Sequence, residues 1–435
     1  MKKILNVILA LVILALAACS PQTPTADKPA GQTGGKTGNT VAQSAKTRLV
    51  SGAPQEDIVT AAAGNNAFAL DLYHKLTGQD GNLFFSPYSI SLALAMTEAG
   101  AAGNTRTQMD QVMHYTLPQD RLHAAFNALS QSLASRPSQA DKDQGDPFRL
   151  SIANAIWGQQ DYKFLSAYLD VLAENYGAGM RLMDFKSDPE ACRNEINAWV
   201  EKETEQKIKN LLPAGVLNSD TRLVLTNAIY FKASWQYAFQ KEATKDSNFT
   251  NLDGKVVKAP QMQLSEKLGY YAGEGYQMVE LPYVGGGLVM DILVPDAGKF
   301  STVESGLTNE DLLAAFSQLG RNQVNLAMPK FSYEAELSLT DTLQALGMTD
   351  AFSGDADFSG MDGSRSLAIA EVIHKAFVAV DESGTEAAAA TAVIMMETSA
   401  LVNEPVTLTI DRPFIYVIRD VQTGAVLFMG RVVRL

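Results

Sequence analysis

The sequence predicts an α+β fold, one large globular domain over residues 58–435 behind an N-terminal export segment and tether. Two observations carry that reading. Over those residues helical and strand periodicities are mixed, and neither an internal repeat nor a second low-complexity linker divides them. The composition is 46% hydrophobic, enough for a domain of this size to bury a sizeable core.

Residues 1–18 carry Lys2 and Lys3 and then an uncharged apolar run from Val7 to Ala18, the pattern of an export signal. The run ends Leu16-Ala17-Ala18-Cys19. Small residues directly before a cysteine resemble a bacterial lipobox, in which Cys19 is diacylated and becomes the first mature residue. The alternative is a plain secretory signal cut near Ala18. Ser20 follows where an aspartate would mark inner-membrane retention, so the resemblance implies an exported lipoprotein of the outer membrane or cell surface. From Cys19 to Asp57 the chain has no aromatic residue and few bulky aliphatics, too little apolar surface to offset ordering entropy, and it is expected to be a disordered tether. Gly31-Gln32-Thr33-Gly34-Gly35-Lys36-Thr37 is not a phosphate-binding loop, because Ala30 stands where the first glycine is needed and no strand precedes it.

The net charge is −13, and about −15 once Lys2 and Lys3 are removed with the signal. That balance argues against nucleic-acid and polyanion partners. The four histidines, His74, His114, His123 and His374, show no metal-ligand pair at helical spacing, and there is no Gly-x-Ser-x-Gly elbow or Cys-His motif. No enzyme chemistry, metal or cofactor is expected. With Cys19 lipidated, Cys192 is a lone thiol and no disulfide framework is possible. It lies in a stretch whose Asp188-Pro189 start and apolar stripe through Ala191, Ile196, Trp199 and Val200 predict a helix, so a buried structural cysteine is expected.

One segment near the C-terminus stands apart: Asp381-Glu382-Ser383-Gly384-Thr385-Glu386-Ala387-Ala388-Ala389-Ala390-Thr391. Taken alone, it would suit a helix capped by Thr385. The residues after it, Val393 to Met396, show no polar helical face, and the flanking blocks read as strands. An extended segment that must slide between two paired strands needs small core-facing side chains and no proline. Thr385, Ala387, Ala389 and Thr391 are all small, Gly384 supplies hinge freedom, and Glu386 on the other face can stay solvated.

This segment resembles the hinge of the reactive-centre loop in serpins, and the resemblance runs through nearly the whole domain. Asn82 to Ile90 is similar to the family's strand leading into helix B, with Pro87 in a first-turn position. Asn227 to Trp235 is similar to strand three of the main sheet, with Ala233 where glycine is usual, and Ile196 to Leu212 to helix F and its return. Glu280-Leu281-Pro282-Tyr283, Met328-Pro329-Lys330-Phe331, Ala356 to Met361, Arg412-Pro413-Phe414 and Leu427 to Val432 follow in the family's order. The resemblance implies a serpin fold of three β-sheets and eight to nine helices with an exposed loop. It places Ser86, Ser89, Asn227 and His374 in the shutter under the point where the main sheet parts, and Trp235 at the breach where insertion begins. Each buried polar group there must be satisfied, since an orphan costs about 1–3 kcal/mol.

Counting from Gly384 as the family counts puts the scissile bond between Thr398 and Ser399, with Met396 and Glu397 as alternatives. The resemblance implies a monomeric suicide-substrate inhibitor whose partners are serine proteases of elastase-like or subtilisin-like preference, with cysteine proteases left open. No Arg or Lys lies between Lys375 and Arg412, so trypsin-like targets do not fit. Residues 114–136, where some relatives bind heparin, carry too few basic residues for that. An inserted segment of about 15 residues, gaining roughly 0.5–1.5 kcal/mol per ladder bond, would release on the order of 10–20 kcal/mol. That compares with the ~5–15 kcal/mol stability of a typical protease domain. A non-inhibitory serpin acting as a binding module or protease substrate is the alternative, and proline or bulky charge at the inserting positions would mark it.

Overall fold

The computed structural model describes residues 40–136, 148–385 and 404–435. Strand β1 (Thr40–Ala42) precedes helix α1 (Gln55–Leu76), which has Glu56 and Asp57 in its first turn and His74 and Lys75 in its last, the charge order that suits the helix dipole. Strand β2 (Leu83–Phe85) runs into α2 (Pro87–Glu98), where the Ser86 side chain accepts from the Ser89 N–H and Pro87 sits in the first turn. All twelve residues of α2 are buried, which is why its sequence lacks a polar stripe. Helices α3 (Gly103–Val112) and α4 (Gln119–Ser135) follow. After β3 (Arg149–Gln159), α5 (Ser166–Val171) widens into a π turn at Leu172–Tyr176 and Gly177 closes it in the left-handed region. Strand β4 (Met180–Met183) leads to α6 (Pro189–Glu203), started by Asp188, whose carboxylate accepts from the Ala191 N–H at 2.9 Å.

Strand β5 (Leu223–Ser234) comes next. Strands β6 (Lys245–Thr250), β7 (Val256–Gly273), β8 (Tyr276–Pro282) and β9 (Leu288–Pro295) pair antiparallel in succession. Helices α7 (Phe300–Gly306) and α8 (Asn309–Gln318), the second opened by a Thr308–Asp311 capping box, lead to β10 (Gly320–Pro329) and β11 (Phe331–Ser338). Helices α9 (Thr340–Leu346) and α10 (Ser359–Asp362) precede β12 (Glu371–Asp381) and β13 (Gly384–Thr385). The chain ends in β14 (Val406–Thr409), β15 (Phe414–Asp420) and β16 (Val426–Val432).

The strands form two sheets. One has seven strands in the order β1-β4-β3-β5-β13-β12-β11, and the other follows β14-β10-β7-β8-β9-β15-β16-β2 with β6 added on β7. In the first, β5 and β12 pair in parallel from Val224–Glu371 to Tyr230–Phe377. Beyond that rung β13 lies between them, antiparallel to both. Successive residues of β5 point to opposite faces. Ile229, Phe231 and Ala233 join a core with Trp235, Tyr283 and Phe428, while Val224 and Ala228 join one with Ile196 and Val200 of α6.

The expected α+β architecture holds, with two differences of detail. The described residues carry ten α-helices and two hydrogen-bonded sheets where eight to nine and three were expected. The 18-residue β7 pairs with β6, β8 and β10 and so merges what would otherwise be separate layers. The tether expected to run to residue 57 also ends earlier. Strand β1 pairs with β4, the Leu49 N–H donates to Glu174 O at 2.8 Å, and Lys46 bridges Asp170 and Glu174. Backbone and polar groups hold this strap, and an apolar composition count does not register them.

Candidate functional site

Ser86 and Ser89 at the start of α2, Asn227 on β5 and His374 on β12 meet in one buried cluster, each at most 1% exposed. The Ser86 N–H donates to His374 Nε2 at 3.1 Å, which leaves the ring proton on Nδ1, and Nδ1 donates to Asn227 Oδ1. Burial pushes the His374 pKa down to about 3, so the ring is neutral. Asn227 Nδ2 donates to Ser89 Oγ at 2.8 Å and to Asn154 Oδ1 at 2.7 Å. Asn154, on β3, accepts also from Ser89 Oγ at 2.9 Å and donates back to Ser89 O at 2.8 Å. Ser86 Oγ donates to Leu427 O at 2.6 Å and accepts from the Ser89 N–H. Asn227 and His374 are register partners across the β5–β12 seam, so their side-chain bond is one that must break when the strands part.

At the other end of that seam stands a second cluster. Trp235 stacks on Tyr283 with centroids 4.6 Å apart, and its Nε1–H donates to Asp381 O at 3.0 Å. The Tyr283 hydroxyl meets Thr385 Oγ1 at 2.8 Å, and Thr385 is 1% exposed. Gly384 pairs with Ser234 and Asp381. A Cβ built on Gly384 would lie 2.0 Å from Ala233 O, so only glycine lets β13 sit this deep. Glu382 is buried, which would raise its carboxyl pKa, but Lys330 at 2.6 Å and Thr244 Oγ1 at 2.8 Å hold it below the ordinary value. The Trp235 and Phe239 N–H groups donate to Ser383 O and Glu382 O, both at 2.9 Å.

The structure thus brings together Ser86, Ser89, Asn227 and His374, and separately Trp235, Glu382, Gly384 and Thr385. Glu386, Ala387, Ala388, Ala389, Ala390 and Thr391 lie outside the described residues, as do Met396, Glu397, Thr398, Ser399 and Cys19. Four partners were missed in the sequence. Tyr283 and Lys330 sit inside motif blocks that carried no assigned role, while Thr244 and Asn154 had no signal beyond a polar residue beside apolar ones. Cys192 is buried on α6, and burial pushes its thiol pKa up to about 11, far from the reactive range. Among the described residues no cluster of three or more His, Cys, Asp or Glu could hold a metal ion.

Comparison with known proteins follows the same lines. The family model for Serpin (serine protease inhibitor) matches residues 63–435. The chain is 40% identical over 384 residues to leukocyte elastase inhibitor A of Rattus norvegicus, covering 85% of this chain and 98% of the relative. It is 37% identical over 389 residues to Serpin B4 of Homo sapiens, covering 84% and 97%. Among solved structures it is similar to tengpin, a thermophilic serpin in its native state, with a TM-score of 0.79 and 29% identity over 91% of this chain and 100% of the other. Uncleaved ovalbumin matches with a TM-score of 0.76 and 28% identity over 86% and 100%.

Proposed function

This chain belongs to the serpin family, and from that premise we propose that it is an irreversible protease inhibitor that traps the acyl-enzyme by inserting its cleaved loop into the seven-stranded sheet. The family takes its name from protease inhibition rather than from catalysis, although some members are non-inhibitory. The observation that carries the reading is β13. Two hinge residues already lie between β5 and β12, while the seam beyond them is closed by direct pairing. Continuing the same strand would extend an existing ladder, and the following alanines are small enough to enter. Strand addition of this kind, driven by released strain, is established for serpins as a class.

In the proposed sequence of events the protease nucleophile attacks the Thr398 carbonyl and the Ser399 amine leaves with the C-terminal fragment. The ester that remains is carried away as the loop inserts, before water can deacylate it. The relative's name, leukocyte elastase inhibitor, supports an elastase-like target, as does a small β-branched Thr398. Lipid attachment at Cys19 and an outer-membrane or cell-surface location complete the proposal.

The test is a panel of serine and cysteine proteases, with products separated on denaturing gels and the released peptide weighed. The expected outcome is a covalent complex with elastase-like or subtilisin-like enzymes and a peptide running from Ser399 to Leu435. Cleavage with no complex for any enzyme would overturn inhibition and indicate a non-inhibitory member. A peptide beginning elsewhere would move the scissile bond.

A further inference from the structure

The connection from α6 to β5 crosses the β5–β12 seam in an unusual conformation. Glu205, Gln206 and Asn210 all have left-handed backbones, with φ of 52°, 63° and 50°, a region that non-glycine residues rarely occupy. Buried anchors hold the segment down. Thr204, Ile208, Leu211 and Leu212 are 0% exposed, the Leu212 N–H donates to Asn197 Oδ1 at 2.8 Å, and Lys375 Nζ of β12 donates to Lys209 O at 3.0 Å. Between these anchors the Lys207 ammonium stands 5.8 Å from the Tyr230 ring centroid and 6.0 Å from that of Phe377, within cation–π range of both.

Those two rings belong to opposite strands, and Tyr230–Phe377 is the last direct rung of the β5–β12 ladder. Thr385 of β13 sits opposite Ala233 and Val380. Were the strand continued in that register, positions 386 and 387 would lie beyond the last direct β5–β12 rung, and position 388 would be the first to require a rung to break. That rung is Tyr230–Phe377. Admitting a strand there adds about one further interstrand spacing, roughly 4.8 Å, between the two residues. The ammonium already stands near the ~6 Å limit from both rings, and that widening pulls the rings apart on either side of it.

Resting on the insertion reading above, we propose that Lys207 is a latch on the sheet seam, a positioning residue that holds Tyr230 and Phe377 together and sets the rate at which the loop drives them apart. Removing the charge while keeping the stem releases the latch, and moving the charge to a guanidinium keeps it.

The experiment uses the mature full-length protein as wild type, Lys207→Met and Lys207→Arg. Each is mixed with a serine protease for which wild type partitions measurably between covalent complex and cleaved free inhibitor. That ratio compares insertion with deacylation inside one molecule. Lys207→Met is expected to shift it toward complex by about three- to tenfold, the equivalent of losing one or two exposed cation–π contacts from the barrier. Lys207→Arg should stay near wild type, and the association rate should be equal in all three. Uncut Lys207→Met should also lose inhibitory capacity faster on warming. If wild type forms complexes and Lys207→Met partitions as wild type does, the latch is overturned and the insertion reading stands. If wild type forms no complex with any protease, the insertion reading fails and the latch fails with it.

Discussion

Glu98 and His123 lie side by side with opposite demands on the same proton. Both are buried, His123 Nε2 is 3.5 Å from Glu98 Oε2, and neither atom has a hydrogen-bond partner. Around them stand Arg106 and Asp110 from α3, Gln119 and Asp120 from α4, Tyr115 after α3, and Tyr176 of the π turn, whose hydroxyl meets His123 Nδ1 at 2.7 Å. Burial, with the Asp110 charge, raises the Glu98 pKa to about 7, and burial lowers that of His123 to about 4. A raised carboxyl contributes stability that is full below the unfolded value near 4.5 and is lost as pH rises through about 7. A depressed imidazole does the reverse, keeping its contribution above about 6.5 and losing it as pH falls toward 4. The two slopes largely cancel in the wild type, so the site is read by difference. Glu98→Gln mimics the protonated acid. It should match wild-type stability near pH 4.5 and exceed it by about 1–3 kcal/mol at pH 8, measured as urea midpoints across that range. Equal midpoints at pH 8 would mean that Glu98 carries its charge there at no cost.

At the scale of elements, what the sequence made legible was whatever local chemistry specifies. Ser86-Pro87 opening α2 and Asp188-Pro189 opening α6 are set by caps and fixed proline φ, all written in neighbouring residues. The shutter was legible through the family resemblance, which places Ser86, Ser89, Asn227 and His374 together, and buried polar groups of that kind must satisfy one another. Asn154 was not, because the need it meets arises on β5, 73 residues away. Strand β1 was illegible for a related reason. Thr40–Ala42 has no apolar pattern of its own, and it becomes a strand because β4 offers an open edge. The depth to which β13 enters was likewise invisible. Gly384 announced a hinge, but whether its backbone lies inside or outside the sheet depends on the approach of Ala233, a tertiary fact.

For the whole molecule, the proposed anchoring separates from the proposed inhibition. The strap at Thr40–Ala42 fixes where the chain leaves the edge of the sheet, and Cys19 lies 21 residues before it in the sequence. Cys19→Ala should therefore release the protein from membranes while the purified protein inhibits at the wild-type rate, checked by fractionation and acyl-chain mass spectrometry. Wild type found wholly soluble and without acyl chains would remove the lipoprotein proposal and leave the inhibitory one intact.

In the proposed mechanism the cleaved loop becomes a new strand between β5 and β12. The most direct test is calorimetry of intact and loop-cleaved protein, in wild type and in Thr385→Arg, which asks a position 1% exposed and bonded to Tyr283 to bury an unpaired charge. Cleaved wild type should melt far above the intact protein, since the inserted ladder contributes on the order of 10–20 kcal/mol, and Thr385→Arg should lose most of that gain. A cleaved wild type that melts at or below the temperature of the intact protein would contradict that mechanism.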